Sequence, residues 1–235
     1  MTEVNVPFSV ADRAIYVQTA ETLVVADPHL GRAAASSVDA PIDDGGDVRS
    51  RLEDALERFS PKTVVVAGDL LHAFSRVPRG VGETVETLVE TVERTGAELV
   101  VTPGNHDSML EAVYNGHTTP EYRLEDGETV VLHGHERPET TASRYVIGHV
   151  HPALSVGGRK RPCLLYGPGA HDGSDVVVVP AFTRIAPGAT INGMSGEDVP
   201  TPLVEDVDAF HPALWDGQRE ELLWFPPLGK CRRFL

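Results

Sequence analysis

The sequence predicts an α/β protein, and three observations lead to this class. Strand-like and helix-like segments alternate up to about residue 115, which is typical of parallel strands joined by helices. After about residue 120, short β-like runs dominate and are separated by glycine and proline turns, which indicates a second, mostly antiparallel sheet. Hydrophobic residues make up 41% of the 235 residues, which is enough to bury a sizeable core.

The strands of the first half are short apolar runs rich in valine and isoleucine. The first two are separated by a short polar link and predict a hairpin. The later ones are separated by helical segments, so we expect parallel pairing with right-handed crossovers. The predicted strands are residues 14–17, 23–26, 63–67 and 98–102.

Two helices are predicted between these strands. Asp47 is a suitable N-cap for the first, whose apolar residues recur at helical spacing as far as Phe59, and Pro61 ends it. The second has apolar residues on one face from Val81 to Val92 and glutamates largely on the other, and Gly96 closes it.

The second half of the chain shows a weaker pattern of apolar and polar residues. Its predicted strands are residues 129–132, 145–147, 163–166 and 175–179. From residue 187 onward the chain is rich in glycine, proline and aspartate, with weak periodicity. We expect a single domain over residues 1–235, with a core of about residues 10–195 and a C-terminal extension, 196–235, that packs on it.

The composition indicates which binding partners and which cellular compartment to expect. The net charge is −15, and only three of the 20 basic residues are lysines. An acidic surface opposes nucleic-acid binding. Acid-rich, lysine-poor composition is, however, similar to that of cytosolic proteins from extreme halophiles, and at molar salt a Debye length of ~3 Å screens the repulsion. An ordinary acidic protein from a GC-rich genome is the alternative.

No secretory signal pattern is visible, and the longest apolar runs are too short to span a bilayer. We therefore expect a cytoplasmic protein with no membrane partner. The two cysteines, Cys163 and Cys231, are predicted to be reduced, and they are too few for a sulfur-based metal site.

The strands end in residues that bind metals. Seven of the ten histidines lie in five short segments, each at the end of a predicted strand or close after it. In open α/β sheets ligands bind beyond the carboxyl ends of the strands, so these groups can converge. The segments are LVVADPHLGR, AGDLLH, PGNHD, VVLHGHE and VIGHVHP.

Carboxylates, imidazoles and an amide oxygen suit Mn²⁺, Fe or Zn²⁺. The candidates are too many for one ion. Two ions that share a bridging carboxylate are the simplest arrangement, and a metal pair about 3.5–4 Å apart is the usual device for displacement at phosphorus.

The five motifs, in this order, resemble the calcineurin-like metallophosphoesterase superfamily. ADPHLG, AGDLLH and GNHD are similar to the nuclease motifs of SbcD-type exonucleases. LHGH, GHVHPAL, RPCLL and VVVVPAF resemble small archaeal SbcD-related phosphoesterases and bacterial ligase-associated DNA-repair phosphoesterases. The resemblance implies a four-layer α/β/β/α sandwich of two mixed sheets flanked by helices.

The resemblance also assigns the metal ligands and implies two divalent cations, Mn²⁺ with Fe or Zn as alternatives. Asp69 would bridge both cations. The first cation would be held by Asp27, His29 and His151, and the second by Asn105, His133 and His149.

The same resemblance implies hydrolysis by a hydroxide held between the two cations. His106 would contact the phosphate and protonate the leaving oxygen, and Asp107 could accept a hydrogen bond from His106. His72 matches a phosphate-contacting histidine, and Arg32 could contact a phosphate or form a surface ion pair.

Simpler interpretations stay open at several of these positions. Asp69 and Asp107 could merely cap helices. His135 is expected near the metal ligands or on the surface rather than as a ligand. The histidines outside the motifs, which are expected to be ordinary surface residues, are His117, His171 and His211.

The sequence therefore predicts a metal-dependent phosphoesterase, and specifically a phosphodiesterase that acts as a DNA nuclease. A small-molecule or nucleotide phosphoesterase is one alternative, and a catalytically inactive scaffold or binding protein of the same fold is another. DNA or a nucleotide is the expected substrate class. A homodimer is possible, because relatives often dimerise.

Overall fold

The computed structural model describes residues 4–32, 44–73 and 75–235. Buried apolar side chains form three separate cores in these ranges. The first lies between a sheet and two helices, the second between that sheet and a second sheet, and the third on the outer face of the second sheet. Three cores separate four layers, which is the predicted architecture.

The first sheet has six strands and is mixed. Its first three strands pair antiparallel in sequence order, and the remaining pairs are parallel. The hairpin and the parallel pairing predicted for this half are therefore confirmed. The strands, in spatial order, are β1 (Ser9–Ala11), β2 (Ala14–Val17), β3 (Thr22–Ala26), β4 (Thr63–Ala67), β5 (Glu98–Thr102) and β6 (His117–Thr118).

Strand β3 shows how this sheet separates two of the cores. Because successive side chains of a strand point to opposite faces, Leu23 and Val25 pack toward the helices while Val24 and Ala26 pack toward the second sheet. All five residues of β3 are buried, as expected for a central strand that is covered on both faces.

Two long helices cover the outer face of the first sheet: α1 (Asp44–Phe59) and α2 (Val81–Glu93). The predicted N-cap of α1 is wrong, since the helix begins at Asp44 and Asp47 lies inside its first turns. The Asp47 carboxylate instead pairs with Arg51 at 2.7 Å, one turn later, and with Arg184 at 3.2 Å. Helix α2 agrees with its predicted bounds.

The second sheet has seven strands and is also mixed. Four of its six pairings are antiparallel, as predicted, but its centre is parallel. Its strands, in spatial order, are β16 (Glu221–Trp224), β15 (His211–Asp216), β12 (Leu164–His171), β13 (Ser174–Val178), β9 (Arg144–Ile147), β8 (Thr129–Leu132) and β7 (Glu121–Arg123).

The outer layer on the second sheet is built from short pieces. A small third sheet comprises β10 (Pro152–Val156), β11 (Arg159–Pro162) and β14 (Ala189–Thr190), and α3 (Leu228–Cys231) is one short helix. Apolar residues of the C-terminal part, among them Leu203 and Phe210, complete the third core. Among the described helices, none combines the length and hydropathy needed to cross a membrane.

Candidate metal centre

The carboxyl ends of parallel strands from both sheets meet at one edge of the sandwich. Asp27 and His29 follow β3, Asp69 follows β4, and Asn105 and its neighbours follow β5. In the second sheet, His133 follows β8, while His149 and His151 follow β9. The structure therefore brings together all the residues predicted as metal ligands.

The backbone at this edge is unusual. Five of the predicted ligands adopt the left-handed conformation, with φ between 45° and 63°. For residues with a side chain this conformation costs about 1–3 kcal/mol each and persists only where the surroundings impose it. The five are Asp27, His29, Asp69, His149 and His151. Such strain, concentrated at one edge, is typical of functional sites.

The residues predicted to hold the two cations are here called the first and second ligand sets, and the first comprises Asp27, His29, His151 and one oxygen of Asp69. His29 Nε2 lies 3.2 Å from His151 Nε2, which lies 3.3 Å from Asp27 Oδ2. Asp69 Oδ2 lies 3.8 Å from His29 Nε2. Atoms bound about 2.1 Å from one ion lie about 3.0–3.4 Å apart at neighbouring positions, so this spacing suits a single cation.

The second ligand set comprises Asn105, His133, His149 and the other oxygen of Asp69. His133 Nε2 lies 3.0 Å from Asn105 Oδ1 and 3.0 Å from His149 Nδ1. Asp69 Oδ1 lies 3.6 Å from His133 Nε2. The two oxygens of Asp69 thus face different ligand sets, which is the arrangement expected of a bridging carboxylate.

Burial makes the two carboxylates at the centre costly as isolated charges. Burial raises the pKa of the Asp27 carboxyl above its usual range, and burial together with the Asp27 charge raises the pKa of Asp69 to about 8. Asp27 Oδ2 accepts a hydrogen bond from the His149 backbone N–H at 2.9 Å, whereas buried Oδ1 accepts none. A cation offsets this cost directly, so the donor set fits a divalent metal.

The histidines of the two sets are prepared to act as ligands. Burial is the main cause that lowers the pKa of His29 and of His133 to about 2, and the pKa of His149 to about 4. These imidazoles are therefore neutral near pH 7, and each has a lone pair available for a metal.

His72 and His106 form a half-buried pair beside the first ligand set. Their rings stack with centroids 4.8 Å apart, and both meet the His29 ring edge-on at 5.3 Å. Burial, followed by the positive charges of His72 and Arg32, lowers the pKa of His106 to about 4. The two imidazoles and the Arg32 guanidinium thus offer hydrogen-bond donors and one positive charge, which suits an anion.

Asp107 has other partners than those predicted for it. Its carboxylate accepts backbone N–H groups from Leu70 at 3.2 Å, Leu71 at 2.8 Å and Gly104 at 2.9 Å, rather than the expected bond from His106. Asp107 thus ties the loop after β5 to the loop after β4, which carries Asp69.

Sequence reasoning missed three glycines that let the ligand loops approach one another. A Cβ on Gly68 would lie 1.8 Å from His133 Nδ1, and one on Gly104 would lie 2.1 Å from Asp69 Oδ1. At Gly148, a Cβ would lie 2.6 Å from Asp27 Oδ2. Each glycine immediately precedes a metal-type residue in the motifs, and that position was the available signal.

The remaining histidines lie elsewhere. His135 is partly exposed, with its ring centroid 5.0 Å from that of His133. His117 is exposed and pairs with Glu98 at 2.9 Å. The surface position expected for His171 is wrong, because this residue is only 5% exposed and packs edge-on against Tyr145.

Solved structures that match the chain include two bacterial proteins. The nuclease MPE of Pseudomonas putida is 23% identical, with 92% of this chain and 93% of that chain covered and a TM-score of 0.63. Yfce, a phosphoesterase from E. coli, is 14% identical, with 88% of this chain and 98% of that chain covered and a TM-score of 0.45. No curated protein sequence matches the chain.

A match to a protein family settles the general class. Residues 21–156, more than half of the chain, match the calcineurin-like phosphoesterase family. This segment contains β3, β4, β5, β8 and β9, whose ends supply both ligand sets. The chain belongs to the calcineurin-like phosphoesterase family and is a metal-dependent hydrolase of phosphoester bonds.

Proposed function

We propose that the protein is a dinuclear phosphodiesterase that cleaves nucleic acid. The observation that carries the dinuclear part is the position of Asp69, whose Oδ1 faces His133 and whose Oδ2 faces His29. A carboxylate shared in this way would hold two cations close together. Mn²⁺ is the proposed metal, since the mixed carboxylate, imidazole and amide ligands suit it.

Two divalent cations bound there would supply Lewis acidity and lower the pKa of a water molecule. The protein itself positions the side chains that would bind these cations. The left-handed turns at Asp27, His29 and Asp69 fix the direction of each ligand side chain. The Asp107 carboxylate holds the Asp69 loop through Leu70 and Leu71, so we assign it a positioning role.

The phosphate would lie against His72, His106 and Arg32. Burial is the main cause that lowers the pKa values of both imidazoles, nearby positive charges add to it, and a phosphate anion beside them would act in the opposite direction. A bound substrate would therefore favour the protonated form of His106, which would take its proton from solvent and donate it to the leaving oxygen.

Nucleic acid is the proposed substrate class because the first three motifs resemble those of SbcD-type nucleases. The chain is acidic, so binding would depend on the cations and on local groups such as Arg32, not on a basic surface. We also propose a cytoplasmic location. The possible homodimer remains a prediction, which light scattering of the purified protein would check.

The test is turnover with defined metals. Protein loaded with Mn²⁺ should contain about two ions per chain, hydrolyse bis-p-nitrophenyl phosphate and degrade single-stranded DNA. Hydrolysis of the chromogenic ester without cleavage of DNA would contradict the nuclease and favour a small-molecule phosphodiesterase. Failure on both substrates with two metals bound would favour a scaffold.

A matched variant separates binding from chemistry. His106→Gln should keep both metals and lower kcat by about 10²–10⁴-fold, because the general acid is lost. Glu111→Gln, a surface substitution that follows the same loop, is the control and should behave as the wild type. A His106→Gln protein of full activity would remove His106 from the mechanism.

A further inference from the structure

A cavity opens directly beside the second ligand set. Its volume is about 460 Å³, within the range of small-molecule binding pockets. His133, whose Nε2 belongs to the second ligand set, forms part of the cavity wall, and His135 lies next to it. The cavity therefore adjoins the proposed metal centre.

The rim of the cavity is held by specific hydrogen bonds. The Glu121 carboxylate accepts the backbone N–H of Glu139 at 2.6 Å and that of Thr140 at 2.8 Å. Thr119 Oγ1 donates to the Glu121 carbonyl oxygen at 2.9 Å, which fixes the local turn that carries Glu121. The cavity is thus shaped by the fold before any ligand binds.

The lining combines apolar surface with hydrogen-bonding groups. Pro103, Pro120 and Leu132 provide apolar surface for a planar ring, while His135 and Arg137 provide hydrogen-bonding groups. Glutamates outnumber cations in the wall, since Glu121, Glu136 and Glu139 accompany a single arginine. This charge favours an uncharged polar group and opposes a second phosphate.

We infer that this cavity binds the nucleoside attached to the scissile phosphate, as an uncharged group at the end of the substrate. The inference rests on the proposed phosphodiesterase function, to which it adds a subsite and a substrate class. A planar base would lie on the proline and leucine surface, and the sugar and base edges would bond to the polar wall.

The inference is tested by measuring, with calorimetry, how tightly three probes bind to the Mn²⁺-loaded protein. The affinity for thymidine 5′-monophosphate should be at least about tenfold higher than that for methyl phosphate, which lacks the nucleoside. Thymidine 3′,5′-bisphosphate should bind several-fold more weakly than the monophosphate because of the glutamates. Equal affinity for the first two probes would overturn the nucleoside site, and tighter binding of the bisphosphate would overturn its uncharged character.

Arg137→Trp, which fills the cavity, should reduce the affinity ratio of thymidine 5′-monophosphate to methyl phosphate to near one. Arg137→Ala, a milder change, should reduce it part of the way. Arg159→Trp, on the exposed strand β11, is the matched control. A wild-type ratio in both Arg137 variants would overturn the inference while leaving hydrolysis of bis-p-nitrophenyl phosphate, and hence the proposed function, intact.

Discussion

The two ligand sets share Asp69 but differ in burial and charge. In the first set, Asp27 and His29 are 0% and 1% exposed, and Asp27 adds a second carboxylate to Asp69. In the second set, Asn105 is exposed and His149 is partly exposed, and Asp69 supplies the only carboxylate of the set. The first set is thus the more closed site, with His151 as its most exposed member and two carboxylates, and the second is the more open site, with His133 as its buried member and one carboxylate.

This difference predicts which of the two sets binds its cation more tightly. Attraction between a dication and its ligands grows with the number of negative charges and with exclusion of water. We expect the first set to bind its metal tightly and the second set to exchange its metal with solvent. Graded chelation should therefore leave about one ion per chain before removing the last.

The largest effect is expected from Asp69→Asn, which removes the carboxylate that the two sets share. Both sets lose the shared charge, so both metals should be weakened and kcat/KM should fall at least about 10³-fold. Metal analysis after gel filtration checks the first point, and hydrolysis of bis-p-nitrophenyl phosphate the second. A variant that keeps two ions would show that Asp69 does not bridge.

A paired comparison of Asp27→Asn with Asn105→Ala tests the asymmetry itself. Asp27→Asn should weaken the tight metal by about 10²–10³-fold, whereas Asn105→Ala should weaken only the loose metal, by about tenfold. Calorimetric titration with Mn²⁺ resolves the two steps. The metal-free Asp27→Asn protein should unfold at a higher temperature than wild type, since a buried carboxyl is replaced by a neutral amide.

The asymmetry can also be reduced by adding charge to the open set. Asn105→Asp should tighten the second metal by about tenfold, because the new carboxylate lies beside His133 Nε2. The same titration measures it, with Asn115→Asp, remote from the site, as the control. If the affinity of the second Mn²⁺-binding step is unchanged, the low negative charge of the second set does not explain its weaker metal binding.

Much of this fold follows from local sequence. The bounds of β2, β4, β5 and β8 agree with prediction because their apolar β-branched runs are covered on both faces. The start of α1 was placed too late, since Gly45 and Gly46 are weak helix formers. The hairpin of β15 and β16 was missed because its residues are largely half-buried and do not alternate clearly.

For the site, local sequence and the resemblance together named the ligands, but not the contacts that hold them. Asp107 bonds to Leu70 and Leu71, which lie more than 35 residues earlier, and no local pattern reports such a pairing. The close approach of Gly68 to His133 depends on two different sheets meeting. Contacts of this kind arise from packing, so they become visible only in the folded chain.

The smallest effect is a proton count that differs between the two metal-binding steps. At pH 6.5 the raised pKa of Asp69, about 8, keeps this carboxyl largely protonated in the metal-free protein, so the first metal should displace about one proton from it. Asn105, His133 and His149 carry no displaceable proton at that pH, since the pKa values of the two imidazoles are lowered to about 2 and about 4. The side chains of the second set should therefore release none, and a single proton released in the second step would come from a water molecule held between the two cations. Because Asp69 ionises by itself as the pH rises through about 8, the first-step release should fade above pH 9. Calorimetry in two buffers of different ionisation enthalpy measures both counts, and more than one proton released in the second step would mean that the side chains of the open set are not neutral.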